Sequence, residues 1–365
     1  MRFFYYVQFQ QFINRHHVHQ IVTGIQQVGI GVTDIDSAWK WYRTVFGTDV
    51  PVFDDVADAT LMARYTGNEV HTRRAVLALN MSGGGGFEIW QFKSRKPVKS
   101  STPLIPGDLG INAVKIKCQD VNKAIDAINR HGTDRVALPY ILPNGETCCW
   151  IQDPLGNRFQ LVKGNSWFQT GKHSTGGVCG AVIGVSDIDS VLPLYKQAIG
   201  FETMIYDETG QFDDLHEKHR FRRILLRKKQ SDEGAFSRLF GHIDIELIQA
   251  LDREPKKIYS DRYWGDPGFI HICFDVNDMD SLKEKCEELG YDFTVDSAST
   301  FDMGEAAGRF SYIEDPDGTL IEFVQAHKLP ILKKLGWYIN LKKRKHQKPL
   351  PDWMLKTMSF NRISD

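Results

Sequence analysis

Between Gln27 and Val32 the side chains alternate in character: Val28, Ile30 and Val32 fall on one face, while Gln27, Gly29 and Gly31 fall on the other. Period two is the signature of a strand with one apolar face. The period then lengthens to that of a helix carrying Trp39, Tyr42 and Phe46, with Asp34 or Asp36 as its N-cap and Gly47 as its stop. The same succession returns as Val114, Ile116 and Cys118 followed by Asp120 and a helix ending at Gly132. It returns again as Ile270, Ile272 and Phe274 followed by Asp278 and a helix with Leu282, Cys286 and Leu289 that ends at Gly290. Units opening near Ile25, Ile111, Val178 and Phe269 each begin on a strand, pass through an aspartate into a helix and finish in strands, a βαβββ pattern.

The units belong to two homologous halves. Val32-Thr-Asp-Ile-Asp-Ser-Ala-Trp-Lys-Trp-Tyr-Arg-Thr-Val-Phe-Gly47 recurs as Val185-Ser-Asp-Ile-Asp-Ser-Val-Leu-Pro-Leu-Tyr-Lys-Gln-Ala-Ile-Gly200. His71-Thr-Arg-Arg-Ala-Val-Leu77 is echoed by Arg220-Phe-Arg-Arg-Ile-Leu-Leu226, and Trp150-Ile-Gln-Asp-Pro-Leu-Gly156 by Tyr312-Ile-Glu-Asp-Pro-Asp-Gly318. Each half closes on Asp-Pro-x-Gly, suited to a tight turn feeding a last strand. The expected organisation is α+β: an N-terminal extension over 1–20, one domain over 21–165, a second over 175–328, and a tail over 329–365.

Composition narrows the class. The 365 residues are 42% hydrophobic and 12% aromatic, enough to fill two cores and too apolar for a disordered chain. With 45 Lys and Arg against 46 Asp and Glu, the net charge of −1 supplies no field to steer nucleic acid, so a nucleic-acid partner is not expected. Six cysteines in so long a chain are too few for a disulfide scaffold and have no metal-knuckle spacing, which fits reduced thiols. Without a membrane-length apolar run or a signal-like start, the sequence reads as cytoplasmic. His16, His17 and His19 precede the first patterned strand and read as part of the extension, not as a metal cluster.

Four tandem βαβββ units, opening on Val-x-Asp and closing the even units on Asp-Pro-x-Gly, resemble the vicinal oxygen chelate superfamily. That superfamily includes glyoxalase I, extradiol and 4-hydroxyphenylpyruvate dioxygenases, methylmalonyl-CoA epimerase and bleomycin-resistance proteins. The resemblance spans about residues 21–328 and implies two tandem domains with curved mixed sheets. It also implies metal ligands on the first and last strands of a unit, facing into a cup. Those positions hold Gln27 and Glu88 in unit one, Ala113 (beside Asn112) and Gln160 in unit two, Gly180 and Glu246 in unit three, and His271 and Glu322 in unit four. A carboxylate inside an apolar strand is costly to desolvate unless it is paired or binds a metal, although alternation also lets such a glutamate face solvent.

Two groupings are open. A cup across units one and four gives Gln27, Glu88, His271 and Glu322, a set similar to that of zinc-type glyoxalase I. It leaves a second cup without its histidine. The resemblance then implies a divalent metal (Zn, Ni, Co or Mn), a small oxygen-chelating carbonyl substrate, and Glu322 and Glu88 as catalytic proton carriers in lyase or isomerase chemistry. A cup within the C-terminal half gives the alternative set Glu246, His271 and Glu322. This suits an Fe(II) dioxygenase, weakened because Gly180 stands where such iron sites need a second histidine. A metal-free binding protein of the bleomycin-resistance kind is the third reading.

Other features have plainer readings. One arginine of each pair Arg73-Arg74 and Arg222-Arg223 should point into its cup, and Arg74 and Arg223 are the expected substrate-binding residues. The charged insertion between Tyr206 and Gly241 suits either a lid or a surface elaboration. Ser82-Gly-Gly-Gly-Gly86 lacks the Lys-Ser/Thr of a phosphate loop and reads as a flexible hairpin tip. Cys148 and Cys149, being adjacent, point to opposite faces and read as packing residues. The tail, rich in lysine with Ile331, Leu335, Trp337 and Tyr338 interleaved, suits either a weak peripheral membrane contact or a helix packed on the domain. Oligomeric state is unconstrained.

Overall fold

In the computed structural model the described residues are 20–131, 136–171, 173–215, 218–298, 301–302, 307–332, 336–342 and 348–363. The histidine trio and the predicted helix stop at Gly132 lie outside them. Unit one is β1 (Val22–Gly31), α1 (Ile35–Phe46), β2 (Val50–Asp58), β3 (Thr72–Leu79) and β4 (Gly86–Phe92). Unit two is β5 (Gly110–Cys118), α2 (Val121–Asn129), β6 (Tyr140–Ile141), β7 (Thr147–Gln152) and β8 (Arg158–Lys163). Unit three is β9 (Thr175–Gly184), α3 (Ile188–Pro193), β10 (Thr203–Gly210), β11 (Phe221–Lys228), α4 (Ser237–Phe240) and β12 (Ile243–Ala250). Unit four is β13 (Gly268–Val276), α5 (Met279–Glu288), β14 (Val295–Asp296), β15 (Phe301–Asp302), β16 (Ala307–Glu314) and β17 (Leu320–Leu332), followed by β18 (Trp337–Asn340) and α6 (Asp352–Thr357).

The two sheets do not follow the two sequence halves. One runs β14-β16-β17-β13-β1-β4-β3-β2 and joins unit four to unit one; the other runs β10-β11-β12-β9-β5-β8-β7-β6 and joins unit three to unit two. The seams are the antiparallel ladders β1·β13 and β5·β9. Segments 21–165 and 175–328 therefore mark sequence repeats, and each sheet takes strands from both. The apolar stripe of β1 (Val28, Ile30) packs with Trp39, Tyr42 and Phe46 of α1, and with Phe159 of β8, in one core cluster between the sheets.

Helix starts obey the predicted capping. Asp34, Asp120, Asp187 and Asp278 each accept a backbone N–H from the following first turn, each cap contributing about 1 kcal/mol. Gly47 ends α1 in the left-handed region at φ 63°. The glycine run is corrected: Ser82–Gly86 is buried, not a mobile tip. There Gly85 exchanges backbone hydrogen bonds with Val178 of unit three, and a Cβ on Gly84 would meet the Gly177 carbonyl carbon at 2.7 Å. Only an absent side chain lets the two backbones cross.

Cys148 and Cys149 fall in different core clusters, as opposite faces require. All six cysteines are buried and unpaired. Of the stretch 331–341, the described residues belong to the end of β17 and to the returning β18 with its flanks and not to a helix, and the described helix of the tail is α6. Leu350, Leu355 and Met358 are buried against sheet one. No helix among the described residues is long and apolar enough to cross a membrane.

Candidate metal centre

On the concave side of sheet one the odd positions of β1 meet the last strands of units one and four. Gly29 pairs with Glu88 of β4 on one side and with His271 of β13 on the other, while Cys273 pairs with Glu322 of β17. Gly29 is there because a Cβ would lie 2.5 Å from the His271 ring, so a side chain would push the imidazole off its neighbours. Gln27, Glu88, His271 and Glu322 are all buried.

Their polar atoms converge. His271 Nε2 lies 3.3 Å from Glu88 Oε2 and 3.1 Å from Glu322 Oε2, and Gln27 Nε2 lies 3.4 Å from Glu322 Oε2. One ligand atom each from Glu88, His271 and Glu322 falls within 4.8 Å of the other two. Tyr312 places its hydroxyl 3.3 Å from His271 Nδ1, which leaves Nε2 for the carboxylates. Burial works against an imidazolium, but Glu322 and Glu88 outweigh it and raise the His271 pKa to about 9. Two buried carboxylates require a cation between them, either a proton on His271 or a metal.

The donor set fits the second. Gln27 Oε1 is buried without a hydrogen-bond partner, an expensive arrangement unless its lone pairs face a cation, and His271 Nε2 faces the two carboxylates of Glu88 and Glu322. One amide oxygen, two carboxylates and one imidazole suit Zn, Ni, Co or Mn. The structure thus brings together Gln27, Glu88, His271 and Glu322. It does not bring together the alternative set, because Glu246 belongs to the other sheet.

In sheet two the matching positions are Gly180, Glu246, Ala113 and Gln160. Lys115, two residues along β5 from Ala113, sends its ammonium to Gln160 Oε1 and, at 2.7 Å, to Glu246 Oε2. Arg223 Nε donates to Glu246 at 2.7 Å and its terminal nitrogens pair with Asp214 at 2.6 and 3.0 Å. Tyr206 donates its hydroxyl to Glu246 at 2.8 Å. Burial would raise the Glu246 pKa, yet Arg223 and Lys115 hold it at about 2.

The arginine expectation needs correction. Arg223 faces the second cup but is spent on Glu246 and Asp214, remote from the four-residue cluster. Arg74 lies outside its cup, bound to Asp54 at 2.8 Å and Asp36 at 2.9 Å. Its neighbour Arg73 lines the cavity beside the cluster and is held by Asp55. Leu77 faces Glu88 as Leu225 faces Glu246, so Arg74 corresponds to Arg222, one residue off the alignment suggested by the repeated letters.

Sequence reasoning also missed Tyr312, Lys115 and the cavity walls. Lys115 and Lys117 on the inner face of an otherwise apolar strand were a readable signal; Phe240 and Met358 carried none, since an apolar residue in a loop or tail does not declare what it covers.

A sequence profile described as Glyoxalase/Bleomycin resistance protein/Dioxygenase superfamily matches residues 181–311. Glyoxylase I 4 of Arabidopsis thaliana is 32% identical over 118 residues, 31% of this chain; the match spans 62% of that protein's length. Among solved structures, a mutant of glyoxalase I from Zea mays superposes with TM-score 0.52 at 15% identity, covering 83% of this chain and 94% of that one. A putative dioxygenase from Bacillus subtilis gives TM-score 0.53 at 15% identity, covering 84% and 86%. These two likenesses speak for the fold. The second sequence half is thus similar to the glyoxalase/bleomycin resistance protein/dioxygenase superfamily over residues 181–311, and the four βαβββ units in two curved sheets have the fold of the solved glyoxalase I from Zea mays.

Proposed function

We propose that the protein is a metal-dependent enzyme that moves a proton next to the carbonyl of a small substrate bound through two adjacent oxygens, a lyase or isomerase of glyoxalase-like type. The observation behind this reading is the convergence of Gln27, Glu88, His271 and Glu322, with Gln27 Oε1 buried and lacking a hydrogen-bond partner. A divalent cation held by Gln27, Glu88, His271 and Glu322 would supply Lewis-acid chemistry to a bound carbonyl substrate. Glu322 and Glu88 flank His271 on opposite sides and border the cavity, so either can take a proton from the carbon next to the carbonyl and return it. Tyr312 orients the imidazole, and Trp90 and Trp264 give the cavity beside it apolar walls. The centre has a single histidine, which argues against the iron dioxygenase reading.

The test is elemental analysis together with hydrogen–deuterium exchange at the carbon next to the carbonyl of an α-hydroxyketone. The wild type should hold about one divalent metal per chain. His271→Ala and Glu88→Gln should lose it, and Glu246→Gln should keep it. Glu322→Gln should slow exchange by about a hundredfold or more. Unchanged exchange in Glu322→Gln would sink the mechanism, and ligand binding indifferent to EDTA would favour the binding-protein reading.

A further inference from the structure

We propose that the substrate carries an uncharged, apolar body beyond its oxygen pair, enclosed by a roof built from two segments outside sheet one. This rests on the proposed chelation at Gln27, Glu88, His271 and Glu322 and extends it to the remainder of the substrate.

A cavity of about 280 Å³ opens beside Glu88 and Glu322. Its floor is the inner face of sheet one. Its roof comes from elsewhere: Phe236, Leu239 and Phe240 from the insertion between β11 and β12, and Met358 from the tail after α6. All four are buried in one cluster with Trp90 and Trp264. The roof is tied down. Leu239 accepts a hydrogen bond from the Gly84 backbone, Leu350 donates to the Ala235 carbonyl, and Arg238 pairs with Asp352 at 2.8 Å. Phe240 also lies against β1, where a Cβ on Gly24 would meet it at 2.7 Å.

The charges around this chamber define what it excludes. Its carboxylates are Glu88, Glu322 and Asp58; its cations are Arg73 and Lys328. Arg73 is engaged by the carboxylate and carbonyl of Asp55, and Lys328 lies 4.6 Å from the ring centroid of Tyr338. A carboxylate or phosphate on the body would be desolvated among aromatic rings with both cations already committed. An aryl or branched alkyl body instead gains by burial.

Calorimetric titration of the full-length protein, metal-loaded and EDTA-treated, with three α-hydroxyketones decides the matter: benzoin, acetoin and 4,4′-dicarboxybenzoin. They share the oxygen pair and differ in the body. Benzoin should bind about tenfold or more tighter than either of the others, with or without metal. Leu239→Lys should weaken benzoin about tenfold and strengthen the dicarboxylate. Met358→Ala, a milder change, should weaken benzoin about threefold with the unfolding midpoint confirming an intact fold. Acetoin or the dicarboxylate binding as tightly as benzoin, in either form, overturns the inference. Benzoin affinity that does not change with metal overturns the chelation reading alone.

Discussion

Lys115 spans a gap that Ala113 and Gly180 leave in the second cup, where sheet one has an imidazole and an amide. Its ammonium lies between Gln160 and Glu246, the counterparts of Glu322 and Glu88, and so occupies the place where sheet one gathers its donors around a cation. A cation supplied by the chain itself makes a metal unnecessary there. Removing either member leaves an uncompensated buried charge, so Lys115→Met and Glu246→Gln should each cost about 3–5 kcal/mol of stability while the metal content of sheet one stays unchanged. The pH dependence follows from Glu246. Its folded pKa of about 2 lies below the ordinary 4.5, so its contribution is complete above 4.5 and is lost as pH falls toward 2. Denaturant midpoints measured across that window should fall more steeply for the wild type than for Glu246→Gln, and parallel curves would show that the carboxylate is not held by its neighbours in this way.

At the scale of elements, the repeat shows itself in contacts as well as in letters. Tyr42 of α1 donates its hydroxyl at 2.7 Å to Asp153, whose other oxygen accepts the backbone N–H groups of Leu155 and Asn157 in the Asp-Pro-x-Gly turn. In the second half Tyr195 faces Asp315, which holds its own turn through the N–H groups of Asp317 and Thr319. In both halves a tyrosine of an odd unit thus meets the closing-turn aspartate of the even unit that follows it, and in the first half a hydrogen bond fastens the two. Tyr42→Phe should cost about 1 kcal/mol, because Asn157 still donates to the same oxygen, and should lower the denaturation midpoint without loss of metal. Arg74, Arg222 and Arg309 form a second recurring device, each joining a neighbouring-strand aspartate to an aspartate in a helix's first turn. Helix boundaries and the inner positions of β1, β4, β13 and β17 were legible in the sequence, because capping aspartates and period-two alternation are local. The register of the arginines was not. A slip of one residue in a strand exchanges its faces, and the repeated Arg-Arg pair admits both alignments.

Which unit pairs with which is a property of the whole molecule, and the letters left it open. The deciding contacts are backbone ladders, β1 on β13 and β5 on β9, together with the glycine crossing at Gly83–Gly85 and Gly177, and none of these depends on a distinctive side chain. Once the pairing is known, the candidate metal centre is seen to be shared: Gln27 and Glu88 belong to the first sequence half, His271 and Glu322 to the second. Each half also supplies one outer part of both sheets, so a half produced alone exposes the seam edges of β1 and β5, or of β9 and β13, as unpaired strands. Cutting the chain in the segment between β8 and β9 therefore gives a decisive experiment. Neither fragment should take up a divalent metal by itself, and the two produced together should associate and bind about one per pair. Elemental analysis of each purified fragment and of their complex checks this. A C-terminal fragment that bound metal alone would show that His271 and Glu322 suffice without the amide and carboxylate of the first half, and the cross-half centre would have to be abandoned.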